Sequence, residues 1–217
     1  MIFGKIDFIN LLPFYIFFKK YIRSSQIKQI INYKKSYPAK INKQFKKRTI
    51  DAAFISSVKS KRCNCLDIGI VAKKDVLSVL LKKGENKKDY QSDTSNALAQ
   101  VLNLQGEVII GDKALYYYYN ENLDDVVDLA QLWYEKYHLP FVFARLCVNN
   151  HKKYLEKLSK RFLASNIKIP QYILKQYAKK TNISTNEIKH YLTKISYKLS
   201  HKEKQSLKLF LKLQGKL

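Results

Sequence analysis

The sequence predicts an α/β fold built as two lobes. Short segments rich in β-branched and aromatic residues alternate with helical stretches along residues 2–146, the rhythm of strands feeding helices in mostly parallel sheets. Charge divides the same chain. Residues 81–143 carry six Lys and Arg against ten Asp and Glu, whereas the rest carries 35 against 7. The middle third is electrically a different body, so a lobe inserted into another is expected, 81–143 within 1–80 and 144–217.

Each element has a local reason. Ile2 to Phe8 reads as a strand, and Leu12 to Arg23 as a helix after the Asn10-Leu11 turn. Gln29 to Tyr33 is a short strand, and Pro38 to Lys47 a helix with proline in its first turn, where a missing N–H costs nothing. Asp51 to Ile55 is a strand leading into a short helix at Ser56-Ser57. Strands follow at 68–73 and 76–82, then a helix capped by Ser92 or Asp93 and running to about Leu104. Glu107 to Ile110 is a strand, and Asp112 opens a helix. In 128–146, Leu129, Leu132, Trp133 and Tyr137 share one helical face, Pro140 ends the helix, and Phe141-Val142-Phe143-Ala144 reads as a buried strand. Such a joint can set one wall of a cleft or be an ordinary connection. From His151 the pattern is helical to the end, broken near Asn166, Thr181 to Ser184, and Ser200.

Two α/β lobes joined near 78–82 and 143–147 have the layout of a type II periplasmic-binding-protein fold, with a ligand cleft between them. Ligands in such sheets sit at strand C-termini and helix N-termini.

Bulk properties narrow the class. With 217 residues, 46% hydrophobic and 27% charged, the chain can bury a sizeable core and is not disordered. The net charge of +24 invites nucleic acid, but the lysines are spread along helices rather than gathered with interleaved aromatics. A solvated surface that attracts a small anion is the expectation, with no nucleic-acid partner. The apolar run Phe8 to Phe18 lacks a basic leader, contains Pro13, and falls short of the ~20 residues of a membrane helix. A soluble, cytoplasmic protein without a membrane partner is expected. Cys63, Cys65 and Cys147 are odd in number and read as no disulfide framework, and neither they nor His138, His151, His190 and His201 have zinc spacing. No metal and no cofactor is expected. The C-terminal helices could close a homodimer or back the first lobe.

Four segments put small polar groups just after a strand: Asn10, Ser56-Ser57, Ser92 with Thr94-Ser95, and Gly111-Asp112. Ser78 lies inside the strand VLSVLL. Each could be a plain N-cap. Hydroxyls and free amides at helix starts also bind a carboxylate without a charged side chain. The run Tyr116 to Tyr119 points in all directions from a helix and reads as lobe packing.

In order, FGKIDFINLLPFY, DAAFISS, VLSVLL, SDTS, IIGDKAL and DLAQLWYEKYHLPFVFA resemble the successive signatures of the chorismate dehydratase family of menaquinone biosynthesis by the futalosine route. The resemblance covers residues 2 to 146. It implies conversion of chorismate to 3-[(1-carboxyvinyl)oxy]benzoate with loss of water. It also implies Asn10 and Ser78 as the catalytic pair, with Ser56, Ser57, Thr94 and Ser95 holding substrate carboxylates. Ser92, Gly111, Asp112 and Phe141, from the same motifs, complete the expected substrate site. Asp93 stands where the family often has a basic residue, and Arg145 where an aromatic is common. A sister branch makes 1,4-dihydroxy-6-naphthoate, but a Pro-Asn-Asp type N-terminal motif and a Thr-Ala pair are expected there, and this chain has neither. A binding protein that catches an anion without reaction is the other alternative. No convincing general base appears; His138, at a helix end, reads better as a solvent-facing C-terminal residue. The enolpyruvyl carboxylate of the substrate is then the expected internal base.

Overall fold

The strand and helix signals resolve into two sheets. The computed structural model describes residues 1–22 and 31–216. Its strands are β1 (Ile2–Lys5), β2 (Asn32–Lys35), β3 (Ala52–Ser56), β4 (Cys65–Ala72), β5 (Val79–Lys83), β6 (Gly106–Ile110), β7 (Val126–Asp128), β8 (Phe141–Val148) and β9 (Ile195–Lys198). Its described α-helices are α1 (Leu12–Tyr21), α2 (Pro38–Lys46), α3 (Asp93–Val101), α4 (Gly111–Asn120), α5 (Leu129–Tyr137), α6 (Lys152–Leu163), α7 (Gln171–Thr181), α8 (Thr185–Lys194) and α9 (His201–Gln214). Of the expected strand at Gln29 to Tyr33, residues 29 and 30 lie outside the described residues, as does Arg23 at the end of the expected first helix.

The larger sheet has the order β2-β1-β3-β8-β4-β9 and the smaller β6-β5-β7. β1 pairs parallel with β2 and β3. The other named pairs, β3–β8, β4–β8, β4–β9, β5–β6 and β5–β7, are antiparallel. The expectation of mostly parallel sheets is thereby corrected. Strand–helix rhythm does not say which strand becomes a neighbour, and β8 returns from the small sheet against the direction of both β3 and β4. β9, in a region read as wholly helical, is a four-residue edge strand.

The large sheet buries an aromatic cluster. Phe14 contacts Phe3, Phe18, Phe54 and Phe162 with ring centroids 5.0–5.9 Å apart, which fastens α1 and α6 to the sheet. The Trp133 face expected on α5 is buried against Phe141 and Phe210, and its indole N–H donates to Ser206 Oγ at 3.0 Å. The C-terminal helix α9 therefore clamps α5 to β8. Cys65 and Cys147 oppose each other across β4 and β8 and form a disulfide, leaving Cys63 free. The expectation of no disulfide fails because 82 residues of sequence separate two positions that the sheet register brings together.

The crossing from β4 to β5 has its own device. Leu77 adopts a left-handed backbone, φ 58°, and Ser78 follows it just before β5 rather than inside a strand. Asp128 holds this turn. Its Oδ2 accepts the N–H groups of Val76 and Leu77 at 2.8 and 2.6 Å, and its Oδ1 accepts those of Ala130 and Gln131, capping α5. Burial raises the Asp128 pKa, and the four N–H donors oppose the rise. Replacing Asp128 by Ala strands those donors, at about 3 kcal/mol. The thermal midpoint is expected to fall by roughly 6–12 °C. A change below about 2 °C, read by circular dichroism, would contradict this role for Asp128.

Candidate active site

Five elements bring polar groups to one cavity. Asn10 arrives on a one-turn 3-10 helix (Ile9–Leu11) between β1 and α1, and Ser56 at the end of β3. Ser78 comes from the Asp128-held turn, Ser92 and Ser95 from the start of α3, and Gly111 from the start of α4. Phe8, Phe54, Ile70, Val79, Ile110 and Phe143 form the apolar walls. Among the described residues, no Lys, Arg, His, Asp or Glu lines it.

The loop carrying Asn10 is fixed from both sides. Asp7 accepts the Tyr177 hydroxyl and pairs with Lys35 and Lys180, while the Ile6 N–H donates to the Tyr15 hydroxyl. The Ile9 N–H donates to Asp112 Oδ1 at 3.1 Å, which ties the loop to α4. Gly111 has φ +64°, and a Cβ there would lie 2.9 Å from the Phe8 ring. Only glycine combines that backbone with that approach. Its N–H donates to the Ser78 carbonyl at 2.8 Å, so α4 starts against the Ser78 turn.

Ser92 caps α3, with its Oγ accepting the Ser95 N–H at 3.1 Å and donating to Ser95 Oγ at 2.8 Å. Ser56 Oγ receives Asn42 Nδ2 at 2.8 Å, and its N–H donates to Asn42 Oδ1. The same Asn42 amide reaches Asp93 Oδ2, and Lys59 lies 3.6 Å from Asp93 Oδ1. The unusual acid of the SDTS segment is thus paired outside the cavity wall.

Other residues expected at the site sit behind its wall. Ser57 Oγ donates to the Val142 carbonyl at 2.5 Å, and Thr94 Oγ1 is buried without a partner. Asp112 faces the Ile9 backbone instead of capping its own helix. Phe141 packs on Trp133 and Phe210, while Phe143 reaches the cavity. A register shift explains the exchange. Ile70 pairs with Ala144 and Val71 with Val142, so Phe143 is an extra residue that breaks strict alternation. His138 is the exposed left-handed C-cap of α5, and Arg145 lines a separate groove with Lys61, Asp67 and Lys204.

Sequence reasoning missed Tyr191, Asn42 and Phe143. Tyr191 is buried on α8, three residues after Ile188 on the same apolar face, and its hydroxyl donates to Ser78 Oγ at 2.9 Å. A tyrosine on an apolar helical face was the available signal, but nothing in the sequence names its partner.

Two sheets, a cavity at strand ends and helix starts, and a chain that passes between them define a protein of the periplasmic-binding-protein fold class. Solved structures agree. A protein of Archaeoglobus fulgidus superposes with a TM-score of 0.66 at 12% identity, covering 99% of this chain and 96% of that one. A structure described as an ABC transporter from Parabacteroides distasonis gives 0.58 at 14% identity, over 100% and 92%. A Candida albicans protein described as exhibiting the generic periplasmic binding protein structural fold gives 0.51 at 10%, over 100% and 90%. A family model described as menaquinone biosynthesis matches residues 86–216. A chorismate dehydratase of Campylobacter jejuni is 49% identical over 216 residues, covering 98% of this chain and 96% of that protein. The chain belongs to the chorismate dehydratase family of menaquinone biosynthesis.

Asp112 offers a pH test of the site's frame. Burial raises its pKa to about 6, against an ordinary 3.8. A raised folded-state value favours the neutral acid, so its contribution to stability is fully present below pH ~4 and is lost as pH rises through ~6. The cost above that range is on the order of 3 kcal/mol. Asp112→Asn keeps an acceptor for Ile9 and has no charge to bury. Its melting temperature is expected to gain on the unmutated protein by several degrees between pH 4.5 and 7.5. An unchanged gap would contradict the assignment.

Proposed function

We propose that this chain is a hydro-lyase that converts chorismate to 3-[(1-carboxyvinyl)oxy]benzoate and water. The observation that carries the reading is the meeting of Asn10, Ser56, Ser78, Ser92 and Ser95 in one cavity whose lining has no ionisable side chain, in a chain of this family. Hydroxyls and helix-start amides suit a dianion that must be held without being trapped by a fixed cation. The net charge of +24 draws such a dianion in from solution.

Chorismate loses the C3 proton and the C4 hydroxyl. The C3 proton is allylic and conjugated to the ring carboxylate, so its removal spreads charge onto that carboxylate. Donors preorganised there stabilise the transition state more than the ground state. The enolpyruvyl carboxylate, folded back over the ring, takes the proton. Holding that conformer can supply several kcal/mol. Aromatisation then drives loss of the C4 hydroxyl, which takes up the proton held by the enolpyruvyl carboxyl and leaves as water. Asn10 and Ser78 act at this edge of the ring; Ser56, Ser92, Ser95 and the Gly111 end of α4 hold the carboxylates, with Ser57, Thr94, Asp112 and Phe141 behind them. The lobes 1–80 with 144–217 and 81–143, a cytoplasmic location, and the absence of a nucleic-acid or membrane partner belong to the same proposal.

Chorismate mixed with the purified protein is expected to give a new aromatic product, followed by absorbance and identified by proton NMR. Asn10→Ala and Ser78→Ala are each expected to lower kcat about 10²-fold or more. Tight binding without product would instead favour a non-catalytic binding protein, and wild-type rates in both variants would overturn the paired role.

A further inference from the structure

Tyr191 sits where a substrate cannot reach it, yet it touches Ser78, one of the two residues assigned to the chemistry. Its side chain is fully buried, 1% exposed, and is not part of the cavity lining. Its O–H donates to Ser78 Oγ at 2.9 Å. Close by, the Tyr197 O–H donates to the Asn10 carbonyl at 2.6 Å. Asn10 Oδ1 is buried and has no partner.

Proton counting sets the direction of this chain. A tyrosine hydroxyl has one proton, and it is given to Ser78. Ser78 Oγ, having accepted from Tyr191, keeps its own single proton for another acceptor. The nearest open space is the cavity that Asn10 and Ser78 both line. Burial holds the tyrosine in its neutral form well beyond the physiological range, so the donor is constant.

We propose that Tyr191 is a positioning residue that fixes Ser78 as a hydrogen-bond donor toward the bound substrate. A fixed donor on the cavity wall suits an acceptor oxygen at the C3–C4 edge of the substrate, the C4 hydroxyl, which receives the Ser78 O–H. The inference rests on the reading of the site as a chorismate dehydratase and extends it to α8, which packs against the 3-10 turn carrying Asn10.

Tyr191→Phe removes one hydroxyl and keeps the ring. Its kcat is expected to fall about 10- to 100-fold while KM changes less than about 3-fold, since the residue acts through Ser78 and makes no substrate contact. The double variant Tyr191→Phe/Ser78→Ala is expected to be no slower than Ser78→Ala alone. Losses that multiply, or a Tyr191→Phe enzyme with unchanged kcat, would overturn the proposal. Turnover of chorismate by the unmutated protein reads the underlying function separately. A crystal structure of Tyr191→Phe tests positioning without turnover. The Ser78 hydroxyl is expected to rotate, and an unmoved Ser78 would refute the role.

Discussion

The carboxylate of Asp128 is the constraint on which the site depends. It binds two N–H groups of the crossing segment and two at the start of α5. That grip holds Leu77 in a left-handed turn, a conformation that costs a non-glycine residue on the order of 1 kcal/mol or more. The turn delivers Ser78 to the cavity instead of to a sheet ladder. Gly111 then closes on the Ser78 carbonyl, and Asp112 on the Ile9 backbone. One acid thus sets the crossing, and its neighbours in space register the two sheets against it.

The site built on this frame is chemically quiet by design of its lining. Its polar side chains are hydroxyls and an amide, and its walls are aromatic and aliphatic. In such surroundings each hydrogen bond to a developing charge is worth more than in water. Ionisable neighbours are kept out of the lining by pairing elsewhere: Asp93 with Asn42 and Lys59, Asp112 with the Ile9 N–H, Asp7 with Lys35, Lys180 and Tyr177. A substrate that carries its own base suits a pocket of this kind, because the protein need only hold it in the reactive shape.

Much of this was legible in the sequence. Strand–turn–helix joints announced Asn10, Ser56, Ser92, Ser95 and Gly111, although a plain N-cap would have left the same signal at each. The Trp133 face and the stop at Pro140 were visible as periodicity. What stayed hidden depends on contacts across long sequence separations. Phe143 replaces Phe141 on the wall because of a register shift against Ile70 and Val71. Cys65 meets Cys147 through pairing of β4 with β8. Tyr191 reaches Ser78 across 113 residues, from a region whose helical pattern carried no motif. The antiparallel sense of most strand pairs is equally a property of the assembled sheet and not of any segment in it.

The central claim is that a dianionic ring compound sits with its reacting edge on Asn10 and Ser78. A crystal structure of the protein soaked with 3-[(1-carboxyvinyl)oxy]benzoate tests it most directly. The account predicts the product in the cavity lined by Phe8, Phe54 and Phe143, with its carboxylates on the serines of β3 and α3 and its C3–C4 edge within contact of Asn10 and Ser78. Product bound in the Arg145 groove, or turned so that this edge faces away from both residues, would contradict it.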